Sequence, residues 1–395
     1  MPELTTVPVQ VEPAPLMSIW DLARTYWPIL AASAGVSLLL TPACRAFALK
    51  RRIVDRPDDF LKPHGRPIPY LGGVAIFAGW ACGLLVSLLL FPGTTASDVT
   101  PHDGPAVRIS TVVAVLVSGT LITALGLTDD LRMLSPRIKL VGNVVAAGVL
   151  IYAGIGDDVV NVIASSLRGS IQDYPRWLIT VYSVPIAIFV IVGACNATNL
   201  IDGMDGLCSG VLGIIALGFL VLAANMHVFG GWQPAHVHRV VFALAMMGGA
   251  IGFLPYNRNP ATIFMGDAGS MLLGLNAAVL LLLFAETTTI RWVLASLMVF
   301  GLPVADMLLT LARRWRSERP LMEGDRSHFY DQLSDRGFTV RQVVAISYAL
   351  ATAFAFLGCI SIAVRTRYTI LLYGLAVVTV LWAVKRFGMC RAQRT

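Results

Sequence analysis

Charged residues are scarce in this sequence. Of its 395 residues, 56% are hydrophobic and 13% are charged, against about 25% in a soluble domain. Mean hydropathy is +0.73. Together with apolar runs of roughly 20 residues, that shortfall excludes an ordinary soluble domain and specifies an integral membrane protein. Cysteine is also sparse. Cys44, Cys82, Cys195, Cys208, Cys359 and Cys390 are scattered and form no CxxC pair, so they read as small apolar residues in helices. No segment of soluble-domain size and no internal repeat is found. Pro8, Pro13 and Pro15 follow Pro2 early in the chain, but no Lys or Arg precedes Arg24. That excludes a secretory signal with a charged start. Residues 1–26 are expected to form a flexible tail and 27–390 a single transmembrane domain.

The apolar runs predict an all-α fold, a polytopic membrane helical bundle. About eleven spans are expected, at 27–49, 70–92, 109–128, 138–155, 177–195, 207–224, 239–254, 270–285, 291–312, 343–364 and 368–384. Pro185 and Pro303 fall inside spans, which suits helices packed within a bundle. Counting loops alternately, 21 of the 30 Lys and Arg fall on one side and 8 on the other, with Arg45 inside the first span. The positive-inside rule then puts the N-terminus outside, the C-terminus in the cytoplasm and the protein in the inner (cytoplasmic) membrane. The net charge of +7 is accounted for by that topology and anionic lipid. No nucleic-acid partner is expected.

The few acidic residues gather at span ends on the cytoplasmic side. Asp129 and Asp130 stand in "GLTDDLRMLSPRIKL", Asp202 and Asp205 in "NATNLIDGMDGL", and Asp267 in "FMGDAGS". Charge at a span end is expensive when buried and marks an ion or substrate site. Asn196, Asn199, Asp202 and Asp205 follow one another three apart, so adjacent members share a helix face. Gly203 and Gly206 loosen the backbone there. The pattern fits a helix ending at a site, with its last polar side chains fanning around a ligand. Asp267 precedes an apolar helix, whose free N–H groups and positive dipole end favour phosphate. The plainer reading of "GDAGS" is an Asp cap with turn glycines. The loop "VDRPDDFLKPHGRPIPYLGG" carries Lys62, His64 and Arg66 among four prolines. Cations on a stiff loop suit a phosphate chain, although a positive-inside anchor would look similar. Asn257 and Arg326 complete the candidate substrate contacts, and His328 is the one histidine of the last cytoplasmic loop. The "HVH" of 236–238 lacks the further ligands of a zinc site.

Carboxylate and phosphate oxygens make a Mg²⁺ site, with Mn²⁺ the alternative; no Cys/His cluster suits zinc. Such a site with basic loops can support phosphoryl transfer, which is mainly positioning and electrostatic stabilisation. A membrane bundle implies that one substrate is a lipid.

These motifs, with "GDRSHFYDQLSDRGF", resemble those of the polyprenyl-phosphate N-acetylhexosamine-1-phosphate transferases over about residues 28–390. That family includes the enzyme that loads GlcNAc-1-phosphate onto undecaprenyl phosphate and the phospho-MurNAc-pentapeptide transferase. The resemblance implies a Mg²⁺-dependent transfer of a sugar-1-phosphate from a UDP-N-acetylhexosamine to a polyprenyl phosphate, releasing UMP at the cytoplasmic face. It implies that Asp267 binds metal with Asp130 nearby. Asp129, Asp130, Asp202, Asp205 and His328 become the expected catalytic set. Lys62, His64, Arg66, Lys139, Asn196, Asn199, Asn257 and Arg326 become the expected substrate contacts. A homodimer is left open. The last loop reads "HFYD", where GlcNAc-type relatives usually show His-x-His-His. Arg132 stands where a third acid often follows the paired Asp. These departures speak against the muramoyl-pentapeptide substrate and leave a simple N-acetylhexosamine, with GlcNAc expected. Two rivals remain. An ion-coupled transporter should place its polar residues mid-span. A CDP-alcohol phosphotransferase should show Asp-Gly ahead of Ala-Arg, which "DGMDGL" lacks.

Overall fold

The apolar runs are helices in the computed structural model, which describes residues 19–55, 67–91, 108–168, 175–229, 236–287, 289–316 and 328–386. The chain order is α1 (Ile19–Arg51), β1 (Val54–Asp55), β2 (Ile68–Pro69), α2 (Gly72–Leu90), α3 (Ile109–Arg132), α4 (Pro136–Tyr152) and α5 (Val159–Arg168). There follow α6 (Arg176–Leu200), α7 (Leu207–Phe229), α8 (His236–Asn257), α9 (Gly266–Ala285), α10 (Ile290–Val299) and α11 (Gly301–Arg316). The last three are α12 (Phe329–Asp335), α13 (Val340–Ala363) and α14 (Thr366–Arg386).

This is an all-α polytopic membrane protein. Among the described residues, nine helices are long and apolar enough to cross a membrane, or ten if α10 and α11 make one broken span. Each expected span overlies a helix, but two differ from a straight crossing. The run 138–155 is the 17-residue α4, short for a bilayer of about 30 Å. The run 291–312 is two helices bent by 73°. Gly301 lies against the Phe354 ring at the break, and Pro303 has no N–H to continue a helical ladder. Helix α1 begins at Ile19, inside the expected tail, with Asp21 in its first turn complementing the positive helix end. The remainder of that tail, residues 1–18, lies outside the described residues.

Helix α9 is the hub. Every residue from Ala268 to Ala285 is buried, and α9 packs on α6, α3, α2, α10 and α8. Small residues permit close crossings. Ser33 and Ser37 of α1 donate to the Ala245 and Gly249 carbonyls of α8 at 2.8 and 2.9 Å. On the outside, α14 presents Leu371, Leu375, Leu381 and Trp382, as a lipid-facing helix should.

Candidate active site

The site forms where helix ends meet. Helices α3 and α6 finish, and α4 and α9 start, at one level of the bundle. The two-residue pair β1–β2 brings the chain back beside α9. There Phe264 N–H donates to the Pro69 carbonyl at 2.8 Å, and Gly72 N–H and Gly73 N–H donate to Phe264 and Met265 at 2.9 and 2.8 Å. Both ends of the basic segment are thus tied near the first turn of α9. Lys62, His64 and Arg66 themselves, and Arg326 of the last loop, lie outside the described residues.

Lys139, near the start of α4, bridges two carboxylates. Its ammonium pairs with Asp129 and with Asp267 Oδ2, the latter at 2.8 Å. Asp129 also accepts the Leu134 N–H at 2.6 Å. Asn199, in the last turn of α6, donates to Asp267 Oδ1 at 2.8 Å and to Ser270 Oγ at 3.1 Å. Asp130 faces the start of α9. Its Oδ1 accepts the Asp267 N–H at 2.8 Å and its Oδ2 the Ala268 N–H at 3.3 Å. The helix N-terminus expected to hold phosphate is therefore capped by a carboxylate of the protein's own. An anion there satisfies orphan N–H groups and the dipole. Gly266 allows the approach: its φ is +67°, and an added Cβ would lie 2.8 Å from Asp130 Cγ.

Asp202 sits just past α6, half-buried. Its carboxylate has no hydrogen-bonding partner among the described residues. Desolvation first, then the charges of Asp267 and Asp130, push it well above the usual carboxylate range. Acidic side chains from three helix ends thus gather around Asp267, two of them, Asp129 and Asp267 itself, sharing Lys139.

Two expected substrate contacts, Asn196 and Asn257, and one residue of the expected catalytic set, Asp205, bond elsewhere. Asn196 is exposed and donates to the carbonyl of Val192 on its own helix at 2.7 Å. Asp205 accepts Asn259 Nδ2 and Ala261 N–H, both at 2.9 Å, so it shapes the loop leading into α9. Asn257 is buried. Its oxygen accepts Gly206 N–H and Ser209 Oγ–H, and its amide donates to the Ile263 carbonyl. Both residues tie the backbone around the site. In the "HVH" stretch, His238 Nε2 accepts the Arg108 N–H at 2.9 Å.

His328 precedes α12 and reaches the site through its neighbours. Its ring stacks on Tyr330, with centroids 5.2 Å apart and 7° between planes. The Tyr330 hydroxyl donates to the Leu200 carbonyl at 2.8 Å, close to Asp202. Burial, then Asp331, Asp306 and Asp202, raise the Tyr330 phenol well above its ordinary value, so it stays a donor. Sequence reasoning missed Asp306, which holds His328; the available signal was an acidic residue inside an apolar run.

The oxygen donors suit a hard cation. Among the described residues, no group of three His, Cys, Asp or Glu is arranged to hold a metal. Magnesium does not need one, since it takes one or two carboxylates and completes its shell with water and substrate phosphate. Asp130, expected beside the metal, has both oxygens on the α9 N–H groups instead, and Asp267 and the unpartnered Asp202 are the carboxylates left for that role. The Lys139 ammonium shows that the pocket accommodates positive charge.

Fold and site together define a multi-pass helical membrane protein with carboxylates gathered at helix ends. Residues 112–285, from α3 through α9, match glycosyl transferase family 4. Over 319 residues, 80% of each chain, the sequence is 30% identical to the probable undecaprenyl-phosphate N-acetylglucosaminyl 1-phosphate transferase of Bacillus subtilis. It is 31% identical over 333 residues to the decaprenyl-phosphate N-acetylglucosaminephosphotransferase of Mycolicibacterium smegmatis, covering 80% of this chain and 77% of the other. It is 30% identical over 263 residues to the phospho-N-acetylmuramoyl-pentapeptide-transferase of Gloeothece citriformis, covering 63% and 67%. The chain belongs to this family, the polyprenyl-phosphate N-acetylhexosamine-1-phosphate transferases.

Proposed function

We propose that the protein transfers N-acetylhexosamine-1-phosphate, with GlcNAc as the sugar, from the UDP-sugar to a polyprenyl phosphate, releasing UMP. The carrying observation is a cluster at the ends of four helices, in which Lys139 bridges Asp129 and Asp267, Asp130 caps α9 at Asp267, and Asp202 lies within the field of Asp267 and Asp130. A phosphate oxygen of the lipid attacks the sugar-bearing phosphorus of the UDP-sugar. A new P–O bond forms, and the bond between that phosphorus and the bridging oxygen breaks, its electron pair leaving with UMP. Such transfer needs positioning and charge stabilisation more than covalent participation.

The chain's own residues supply that positioning. Asp130 locks the first turn of α9 and so aims Asp267. Asn199 orients the other oxygen of Asp267. Lys139 offsets charge between Asp129 and Asp267 and is suited to contact a diphosphate. Asp129 is the carboxylate suited to take a proton from the lipid phosphate, and His328 is held by Asp306 and Tyr330 beside the end of α6. Asp267 and Asp202 would hold Mg²⁺, which when bound would offset the diphosphate charge. The excess of Lys and Arg on one set of loops supports a cytoplasmic site in the inner membrane, with the N-terminus outside.

Purified protein incubated with polyprenyl phosphate, Mg²⁺ and a panel of UDP-sugars should release UMP with UDP-GlcNAc. Asp267→Ala should abolish release without changing the elution of the purified protein. No release with any UDP-N-acetylhexosamine would sink the assignment.

A further inference from the structure

Asp306 lies on α11, beyond the bend, and is 2% exposed. Its two oxygens are divided between two donors. Oδ1 accepts the Phe329 N–H at 3.1 Å, and Oδ2 faces His328 Nδ1 at 2.7 Å. The hydroxyl of Thr310, one turn further along α11, lies 3.3 Å from the same ring nitrogen and accepts Arg313 Nη2 at 3.0 Å. An ionised acceptor at the shorter distance outcompetes a hydroxyl for a ring N–H. His328 is itself only 5% exposed, and the described residues give its ring no other hydrogen bond. The segment is fixed on its far side too, because Tyr330 stacks on the ring and donates to the Leu200 carbonyl. The imidazole is thereby held in one orientation relative to Asp202.

Building on the transferase reading above, we propose that Asp306 is a positioning residue that holds His328 in its Nδ1–H tautomer, leaving Nε2 to accept a hydrogen bond from a substrate O–H or N–H. The bond made by one ring nitrogen decides what the other can do. A carboxylate at Nδ1 makes Nε2 an acceptor, whereas an amide N–H at Nδ1 makes Nε2 a donor. Asp306 also pins the backbone of Phe329, so the ring cannot swing away while its tautomer is set. No proton leaves the His–Asp pair in this role.

The test is histidine ¹⁵N NMR on selectively labelled full-length protein in detergent, with the His328 signals assigned by their loss in His328→Gln. The wild type should show Nδ1–H and a bare Nε2 in mildly alkaline buffer. Asp306→Asn should move the ring toward the Nε2–H form. It should also lower UMP release about 10- to 100-fold, the usual effect of removing the partner that orients a functional histidine, with the loss mainly in kcat rather than KM. A wild-type Nε2–H tautomer overturns the proposal. So does an Asp306→Asn protein with unchanged tautomer, or with altered tautomer and full turnover. If Asp306→Asn does not fold, the wild-type spectrum alone decides. A wild type that releases no UMP sinks the transferase reading, and the tautomer still reports separately on the Asp306–His328 contact.

Discussion

The packing of α3 against α9 leaves no room for a methyl group at Gly126. A Cβ there would lie 2.5 Å from Ala268 N and 2.6 Å from both Ala268 Cα and the Asp267 carbonyl carbon. These are backbone atoms in the first turn of a buried helix, so no side chain can rotate away. Ordinary contact begins at 3.4 Å, and Gly126→Ala therefore pushes the helices apart by about 1 Å. The hydrogen bonds from Asp267 N and Ala268 N to Asp130, at 2.8 and 3.3 Å, would then exceed the range of a real hydrogen bond. Each charge-assisted bond is worth about 1.5–3 kcal/mol. Asp130 is only partly enclosed, so the lower figure applies. Less the ~0.5–1 kcal/mol that Ala gains over Gly in a helix, the variant loses about 2 kcal/mol. Its effect on turnover is larger, because a 1 Å misplacement of a site costs about 10²-fold. The assays are UMP release and the apparent melting midpoint in detergent. Gly148→Ala is the control: Gly148 lies in α4 with nothing within 4 Å of a Cβ, and should be neutral or slightly stabilised. A Gly126→Ala protein that turns over and melts like wild type would refute the claim that backbone contact between α3 and α9 sets the site.

Two further variants probe the charges. Lys139→Met leaves Asp129 and Asp267 facing each other without their shared cation. The pair is partly exposed, so the cost is below the ~3–5 kcal/mol of a fully buried pair, about 1–3 kcal/mol after solvent screening. Added Mg²⁺ should raise the melting midpoint more in this variant than in wild type, and equal shifts would refute the shared-cation reading. Asp202 has a raised pKa, so the folded protein holds its proton where the unfolded chain has lost it. Its stabilising contribution is complete below the ordinary Asp value of about 3.9 and declines as pH rises toward the raised value. Without added metal, Asp202→Asn should match wild type in acid and exceed it in stability toward neutral pH. Parallel pH–stability curves would remove Asp202 from the acidic cluster.

Much of the architecture was legible because membrane spans and charged span ends leave strong one-dimensional signals. Asp267 in the first turn of an apolar helix, and Asp129–Asp130 at the end of another, were identifiable from position alone. The three-residue spacing of Asn196 and Asn199 was ambiguous for a physical reason. Both are amides on the same helix, yet one bonds back to Val192 and the other reaches across to Asp267. Which partner an amide finds is decided by the neighbouring helix, and spacing carries no information about that neighbour. Asp205 and Asn257 illustrate the same limit, since their partners are loop N–H groups more than 45 residues away. Asp306 was missed because its partner His328 is 22 residues further along, beyond the end of α11.

The distribution of roles among the carboxylates follows from the cost of placing charge in a membrane protein. An acidic group held away from water must be matched by donors or a cation. Asp130 is matched by two helix N–H groups, and Asp129 and Asp267 share Lys139. Asp306 is matched by a backbone N–H and an imidazole. Asp202 alone among them has no partner on the described residues and keeps its proton more tightly. The four matched carboxylates are therefore rigid parts of the frame, each tying two elements together. The unmatched one is where a cation or ligand gains most by binding, because it would replace a proton on a carboxylate and oppose no interaction already made. The partnered acids set the shape of the site, and Asp202 leaves it one carboxyl group still to be matched.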